Sequence, residues 1–271
     1  GHSGLSVLGY ASSRDGIHID ERLTEPAYIC SGPSACKMEN KNFSSYAYTS
    51  GGSWSGCEDP RITKIDDRIY MTYTAFITWD TPPGIALTSI SVKDFLKKHW
   101  NWKAPILISP PYEIHKNWVI FPEKINGKFA ILHSISPDIL IDYFDTLSFN
   151  ENSCIKSYYK CFGREGCWDN RIRGIGPPPI KTREGWLALY HAIDKRDPNK
   201  YKIGAMILDE QDPSKILYCS NVPLLEPSAP YENEGYKAGV IYCCGALVKE
   251  EKLFVYYGGA DTVICAAIAD L

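Results

Sequence analysis

The chain has 271 residues, a formal net charge of −3, and 44% hydrophobic, 23% charged and 13% aromatic residues. That length can bury one substantial core, which favours a single globular domain over residues 1–271. With no polybasic run and no acidic tail, the charge balance excludes the electrostatic footprint of a nucleic-acid or anionic-membrane binder, and no apolar stretch reaches the roughly 18 residues a spanning helix needs.

The 18 Tyr, 7 Trp and 21 Gly tilt the composition toward strands and aromatic-lined surfaces, which suits a small neutral ligand. The 10 Cys read as free thiols of a cytoplasmic protein, because no charged segment followed by an apolar one opens the chain and its size needs no staples. No CxxC pair occurs, five residues separate Cys161 from Cys167, and the vicinal Cys243-Cys244 lacks nearby His partners. A zinc site is therefore not expected.

In chain order, Leu8-Gly9-Tyr10-Ala11-Ser12 comes first, a strand-like segment with no hairpin before it. Four hairpin signals follow, at Lys64–Tyr73, Lys124–His133, Lys181–Tyr190 and Lys249–Tyr257. In each, a short polar turn such as Asp66-Asp67, Asn126-Gly127 or Glu184-Gly185 leads into an alternating strand ending in aromatic and small residues. After each hairpin comes another strand, at Ile85–Ser89, Ile139–Tyr143, Ile203–Ile207 and Val263–Ala267. The hairpins recur every 57 to 67 residues or so, the size of a four-stranded propeller blade with its loops. Five outer strands and four hairpins predict an all-β, five-bladed β-propeller whose first blade is incomplete at the N-terminus. Antiparallel hairpins of a sandwich are the plainer alternative. The only helical signal is Ser91–Trp100, good for a turn or two. Gly174–Pro179 reads as a rigid turn within the domain.

Propellers present functional groups on the loops that lead into their inner strands. The loop before the first hairpin carries Glu58-Asp59-Pro60-Arg61, two carboxylates and a guanidinium able to hold a sugar hydroxyl in fixed geometry. Phe121-Pro122-Glu123-Lys124, Gly176–Lys181 and Cys243-Cys244-Gly245 precede the other three. Capping of strand ends by side-chain hydrogen bonds explains the Asp-Pro and Pro-Glu-Lys runs equally well. His133, His191 and Asp261 occupy matched repeat positions, which predicts that they converge, although a single His on an aromatic strand is usually a satisfied core residue. Trp54, Trp79, Trp102 and Trp118 lie in loops, where ring faces can stack on sugars or pack against the blades.

Five ordered runs carry a resemblance that covers nearly the whole chain. They are Gly56–Lys64, Phe121–Lys128, Pro178–Thr182 with Gly185-Trp186 and Tyr190-His191, Asp212–Lys215, and Tyr256–Thr262. The chain resembles glycoside hydrolase family 130, the β-mannoside phosphorylases and hydrolases. The resemblance implies a five-bladed propeller and inverting cleavage of β-mannosides, with glycosyl transfer to phosphate or to water. It implies that Asp59 is the general acid, passing its proton through a hydroxyl of the bound mannose. Asp261 would hold that sugar, Arg61 and Lys124 would orient hydroxyls and tune Asp59, and Glu58 and His191 would complete the substrate contacts. Around one cavity, Asp59, His191 and Asp261 would then meet. No cofactor is implied beyond inorganic phosphate as a co-substrate; the expected partner is an oligosaccharide, and assembly into a homo-oligomer stays open.

A phosphate dianion needs several cationic or N–H donors. Where the family often has Arg, Lys, Arg and a Pro-Asn pair, this chain has Ser134, Ile172, Ser12 and Ala238-Gly239. His191, Lys116 and Arg173 are the remaining phosphate-binding candidates. A hydrolase would instead need a base, for which Glu58, Glu113 and Glu123 are available. A related glycosidase acting on pentosides or fructosides, and an eroded propeller that binds glycans without cleaving them, are the alternatives.

Overall fold

A computed structural model of the chain describes residues 5–30, 32, 55–76, 81–151 and 153–271. Trp54 and Trp79 fall outside the described residues. The chain is all-β, with 47% strand and 4% helix among the described residues. It groups into two compact units, residues 1–120 with 144–159 and residues 121–143 with 160–271.

The first unit runs through β1 (Leu5–Ser6), β2 (Ala11–Ser12), β3 (Glu21–Arg22), β4 (Ser55–Ile65), β5 (Arg68–Phe76), β6 (Gly84–Ser91), α1 (Val92–Leu96), β7 (Ile106–Leu107) and β8 (Val119–Ile120). Its main sheet has the order β1-β4-β5-β6-β7, and β2 pairs with β3 separately. The first predicted hairpin is β4–β5, turning at Asp66-Asp67 with Asp66 at φ 51. Both β5 and β6 are almost wholly buried, as strands covered on both faces are. Tyr28, Cys57, Met71, Tyr73, Ala75 and Ala86 form one core cluster, with Leu8, Cys30 and Trp102 packed against it. The single helical signal becomes α1, opened by Ser91, whose hydroxyl accepts the Asp94 N–H at 3.0 Å.

The second unit contains β9 (Phe129–Ile135), β10 (Ile139–Phe144), β11 (Arg171–Ile175), β12 (Ile180–Lys181), β13 (Trp186–Asp194), β14 (Asp197–Leu208), β15 (Ile216–Cys219), α2 (Pro230–Asn233), β16 (Ile241–Lys249), β17 (Lys252–Gly259) and β18 (Val263–Asp270). Its larger sheet has the order β11-β13-β14-β15 with β12 also on β13, and the last has the order β16-β17-β18. The remaining predicted hairpins turn where expected. Asn126 and Gly127 both take positive φ, as a type I′ turn requires, and so do Glu250 and Glu251. The Thr182 N–H closes the third turn on the Gly185 carbonyl at 2.8 Å. All nine residues of β13 are buried, so this strand is the spine of the unit. Leu187 and Leu189 of β13 pack with Ile203, Ile241, Cys243 and Leu253 into one cluster that joins the last two sheets. Each fully buried side chain of this kind stabilises the fold by about 1.5–3 kcal/mol.

Among the described residues four β-propeller blades are present. The opening copy, Leu8–Ser12, contributes only the short strand β2 and a bridge from Leu8 to Tyr28.

Candidate active site

In the first unit the candidate acid, Asp59, lies at a break in β4. Glu58 pairs with Thr74 and Arg61 with Thr72, so Asp59 and Pro60 together oppose a single residue of β5. This is a β-bulge. Pro60 has no N–H to lose there, and Asp59 takes φ 52, a left-handed conformation that Asp tolerates better than most residues. The bulge re-aims the half-buried Asp59 away from the regular alternation of the strand.

Arg61 holds the bulge in shape. It is only 2% exposed, and its Nη1 donates to the Asp59 carbonyl at 2.8 Å while Nη2 donates to Asn117 Oδ1 at 2.8 Å. Asn117 is itself buried and sits at φ 66. Two threonines fix the segment that carries it. Thr72 Oγ1 donates to the Trp118 carbonyl at 2.7 Å, and Thr63 Oγ1 to the Ile120 carbonyl at 3.0 Å. Beside Asn117, the Lys116 ammonium lies 5.6 Å from the centre of the Phe76 ring. His115, buried against Trp118, stands 3.5 Å from Glu113. Glu58 is half-buried.

Asn117 and His115 were missed by the sequence reading, although Lys116 between them was singled out. Replacing Asn117 with Ala should lower stability by about 2 to 3 kcal/mol, by stripping a partner from a buried charge and forcing Ala into left-handed backbone. Asn117→Asp keeps an acceptor and tolerates the backbone, so urea unfolding should find it less damaged; equal losses in the two variants would rule out this role.

In the second unit His191 lies on β13 and is fully buried. Its Nε2 accepts the Cys243 N–H at 2.9 Å, so the neutral ring carries its proton on Nδ1, and its face stacks on Tyr242 at 4.0 Å and 6°. His133 holds the corresponding place on β9, 3.4 Å from Asp142, and burial lowers its pKa. The two His thus share a strand position. Asp261 lies beyond its strand, in the β17–β18 turn, where it and Ala260 take φ 55 and 47. Its carboxylate is about half exposed and faces Lys237 at 3.7 Å.

The other candidates have partners close by. Lys124 is exposed and lies over the Phe129 ring of its own hairpin at 4.6 Å. Glu123 pairs at 2.9 Å with Lys181, which also reaches Glu210 at 3.0 Å. The Arg173 guanidinium sits over Tyr201 at 5.7 Å, with Nη1 3.4 Å from Cys161 Sγ. Ser134 turns its hydroxyl onto the Ser136 carbonyl at 3.2 Å, and Ile172 is buried, so neither supplies charge. Among the described residues no cluster of three or more His, Cys, Asp or Glu side chains could hold a metal ion. Nor, among them, is any helix long and apolar enough to cross a membrane.

The sequence profile of glycoside hydrolase family 130, described as a beta-1,4-mannooligosaccharide phosphorylase, matches residues 37–271. The chain belongs to this family. As a family 130 member it is 39% identical to a 1,2-beta-oligomannan phosphorylase of Thermoanaerobacter sp. (strain X514), over 98% of this chain and 79% of the relative. A beta-1,2-mannobiose phosphorylase of the same organism is 34% identical over 98% of this chain and 78% of its own length. Among solved structures, the beta-1,2-mannobiose phosphorylase of Listeria innocua, in complex with beta-1,2-mannobiose, superposes with a TM-score of 0.76 at 32% identity. It covers 98% of this chain and 67% of that one.

Proposed function

We propose that this family 130 protein cleaves β-1,2-linked manno-oligosaccharides by phosphorolysis with inversion, releasing α-mannose 1-phosphate. The observation that carries the reading is the 39% identity to a 1,2-beta-oligomannan phosphorylase across 98% of the chain. In the step proposed, the bond from C1 of the terminal mannose to the bridging oxygen breaks as a phosphate oxygen bonds to C1 from the opposite face. Asp59 supplies the proton that the leaving oxygen takes up, relayed by a mannose hydroxyl. Phosphate arrives already ionised, so no protein base is required, whereas hydrolysis would need one. Asp261 holds the mannose, Arg61 and Lys124 orient hydroxyls, and Glu58 and His191 add contacts to the substrate. Lys116, Arg173 and His191 are the donors proposed for phosphate. The chain is proposed to work as one cytoplasmic catalytic domain closed into five blades, with no organic or metal cofactor.

One observation favours a second reading, hydrolysis. Ser134 and Ile172 stand where family members often carry Arg and Lys, and neither is charged. Incubation with β-1,2-mannobiose, with and without inorganic phosphate, separates the two. Mannose 1-phosphate formed only when phosphate is present is the expected result. Free mannose formed at the same rate in both arms would overturn phosphorolysis, and no product from this or the β-1,4-linked sugar would overturn mannoside cleavage.

A further inference from the structure

Glu232 is almost completely buried, 2% exposed, and lies in no run that the sequence pattern singles out. Its carboxylate accepts three hydrogen bonds: Oε2 takes the N–H groups of Ser228 and Ala229, both at 2.8 Å, and Oε1 takes the Tyr257 hydroxyl at 2.7 Å. Burial alone would push the Glu232 pKa up. The bonds from Tyr257, Ala229 and Ser228 outweigh it, and the carboxyl ends below its ordinary range. One ionised side chain thus closes the turn of α2 and ties it to β17.

The segment that leaves α2 runs straight onto the turn carrying Asp261. The Glu232 carbonyl accepts the Gly239 N–H at 2.9 Å, which closes residues 232–239 into a loop. From that loop the Lys237 N–H donates to the Ala260 carbonyl at 2.9 Å, and the Ala260 N–H donates back to the Val240 carbonyl at 2.8 Å. The Tyr236 N–H reaches Thr262 Oγ1 at 3.0 Å, and the Lys237 ammonium faces the Asp261 carboxylate. Gly235 has no room for a side chain, since a Cβ there would lie 2.5 Å from Thr262 Oγ1. Two main-chain bonds, one bond from a main-chain N–H to the Thr262 hydroxyl and one ion pair therefore clamp a turn in which two successive non-glycine residues hold positive φ, a conformation uncommon outside glycine.

We infer that Glu232, with Tyr257, is a positioning residue for Asp261: the buried carboxylate fixes the 232–240 loop, and the loop fixes the direction in which Asp261 meets its ligand. The inference rests on the proposed role of Asp261 in holding the mannose, and it adds a way in which that role is built. Two alternative candidates are weaker. The Tyr10 and Trp100 rings each pack edge to face on Phe95 and tilt against one another, and Cys57, a neighbour of Cys30, is a buried thiol whose pKa burial pushes up to about 12, leaving it a poor nucleophile.

The test is a double-mutant cycle on kcat/KM for β-1,2-mannobiose phosphorolysis, with affinity for the same sugar measured by calorimetry. Tyr257→Phe removes a single hydroxyl from a residue that otherwise keeps its packing. It should lower kcat/KM about tenfold, mainly through KM, and in the Asp261→Ala background the same change should cost less than about twofold. Glu232→Gln, which keeps the shape and two acceptor positions for the Ser228 and Ala229 N–H groups, should recover most of the activity lost in Glu232→Ala. Equal effects of Tyr257→Phe with and without Asp261 would overturn the positioning role and leave the sugar-holding role intact. An Asp261→Ala variant with unchanged affinity and turnover would overturn both, and would locate the failure in the reading of Asp261. Should Glu232→Ala not fold, the cycle through Tyr257→Phe still decides.

Discussion

Asp59→Asn should lose at least about a thousandfold in kcat on β-1,2-mannobiose while binding the sugar with little change. General acid catalysis contributes typically 10²–10⁴-fold, and a sugar leaving group, a poor one, needs its full share. An amide cannot deliver that proton at neutral pH. The bulge makes Asn the right probe, because Asn tolerates the φ of 52 that Asp59 adopts and keeps the carbonyl that Arg61 grips. Asp59→Ala would add a backbone penalty of about 1–2 kcal/mol and confuse the loss of the acid with the loss of the bulge. A second substrate sharpens the reading. An aryl β-mannoside with an acidic phenol departs without protonation, so Asp59→Asn should retain far more of its activity on that substrate than on the disaccharide. If kcat on the disaccharide stays within tenfold, or both substrates suffer equally, Asp59 is not the acid.

What could be read from the residues alone follows the range of the interactions concerned. The four hairpins were legible because their turns are local: Asn126-Gly127 closes a two-residue loop regardless of the rest of the chain. Helix α1 was legible for the same reason, since Ser91 and the residues it caps are three apart. The opening segment reads as a fifth outer strand, yet within it only Ala11-Ser12 pairs as strand β2, because a strand needs a partner and β3 supplies just two residues. At Asp59 the sequence pattern marks the Glu58–Arg61 run as a loop candidate but not its geometry. A bulge is a property of register, and nothing in Glu58–Arg61 announces that Thr72 and Thr74 will straddle it. Asn117 was hidden for a similar reason: it meets Arg61 across 56 residues of chain, brought there by carbonyls that Thr63 and Thr72 bind. His133 and His191 take the same place in their hairpins because both lie inside strands of one repeat. Asp261 did not share them, since it stands past the last ladder pair of β17, in a turn that another loop must hold.

The largest stability effect should come from Asp169, a residue with no proposed part in the chemistry. Its carboxylate is fully buried. Arg164 Nε lies 3.0 and 2.9 Å from its two oxygens, and the Tyr190 hydroxyl donates to Oδ2 at 2.7 Å. Trp168 stacks on the Tyr190 ring at 6.0 Å and 21°. Tyr190 is part of β13, so this pair anchors the 160–170 segment to the spine of the unit. Asp169→Ala leaves the Tyr190 hydroxyl buried without its acceptor and the Arg164 guanidinium without its counter-ion. Breaking a buried pair typically costs 3–5 kcal/mol; Arg164 is one-third exposed and can rehydrate, which puts the loss near 3 kcal/mol and the fall in Tm at roughly 6–12 °C. Removing both charges should hurt less than removing one, because the double variant Arg164→Ala/Asp169→Ala strands no charge, only the tyrosine hydroxyl. Thermal unfolding of the three variants checks both statements. A single-variant shift under about 2 °C, or a double variant that loses the sum of the two single losses, would mean that the pair is solvated in solution and the anchor lies elsewhere. Turnover of Asp169→Ala, measured well below its Tm, should stay within about threefold of the parent, the opposite pattern to Asp59→Asn, where the fold survives and the reaction does not.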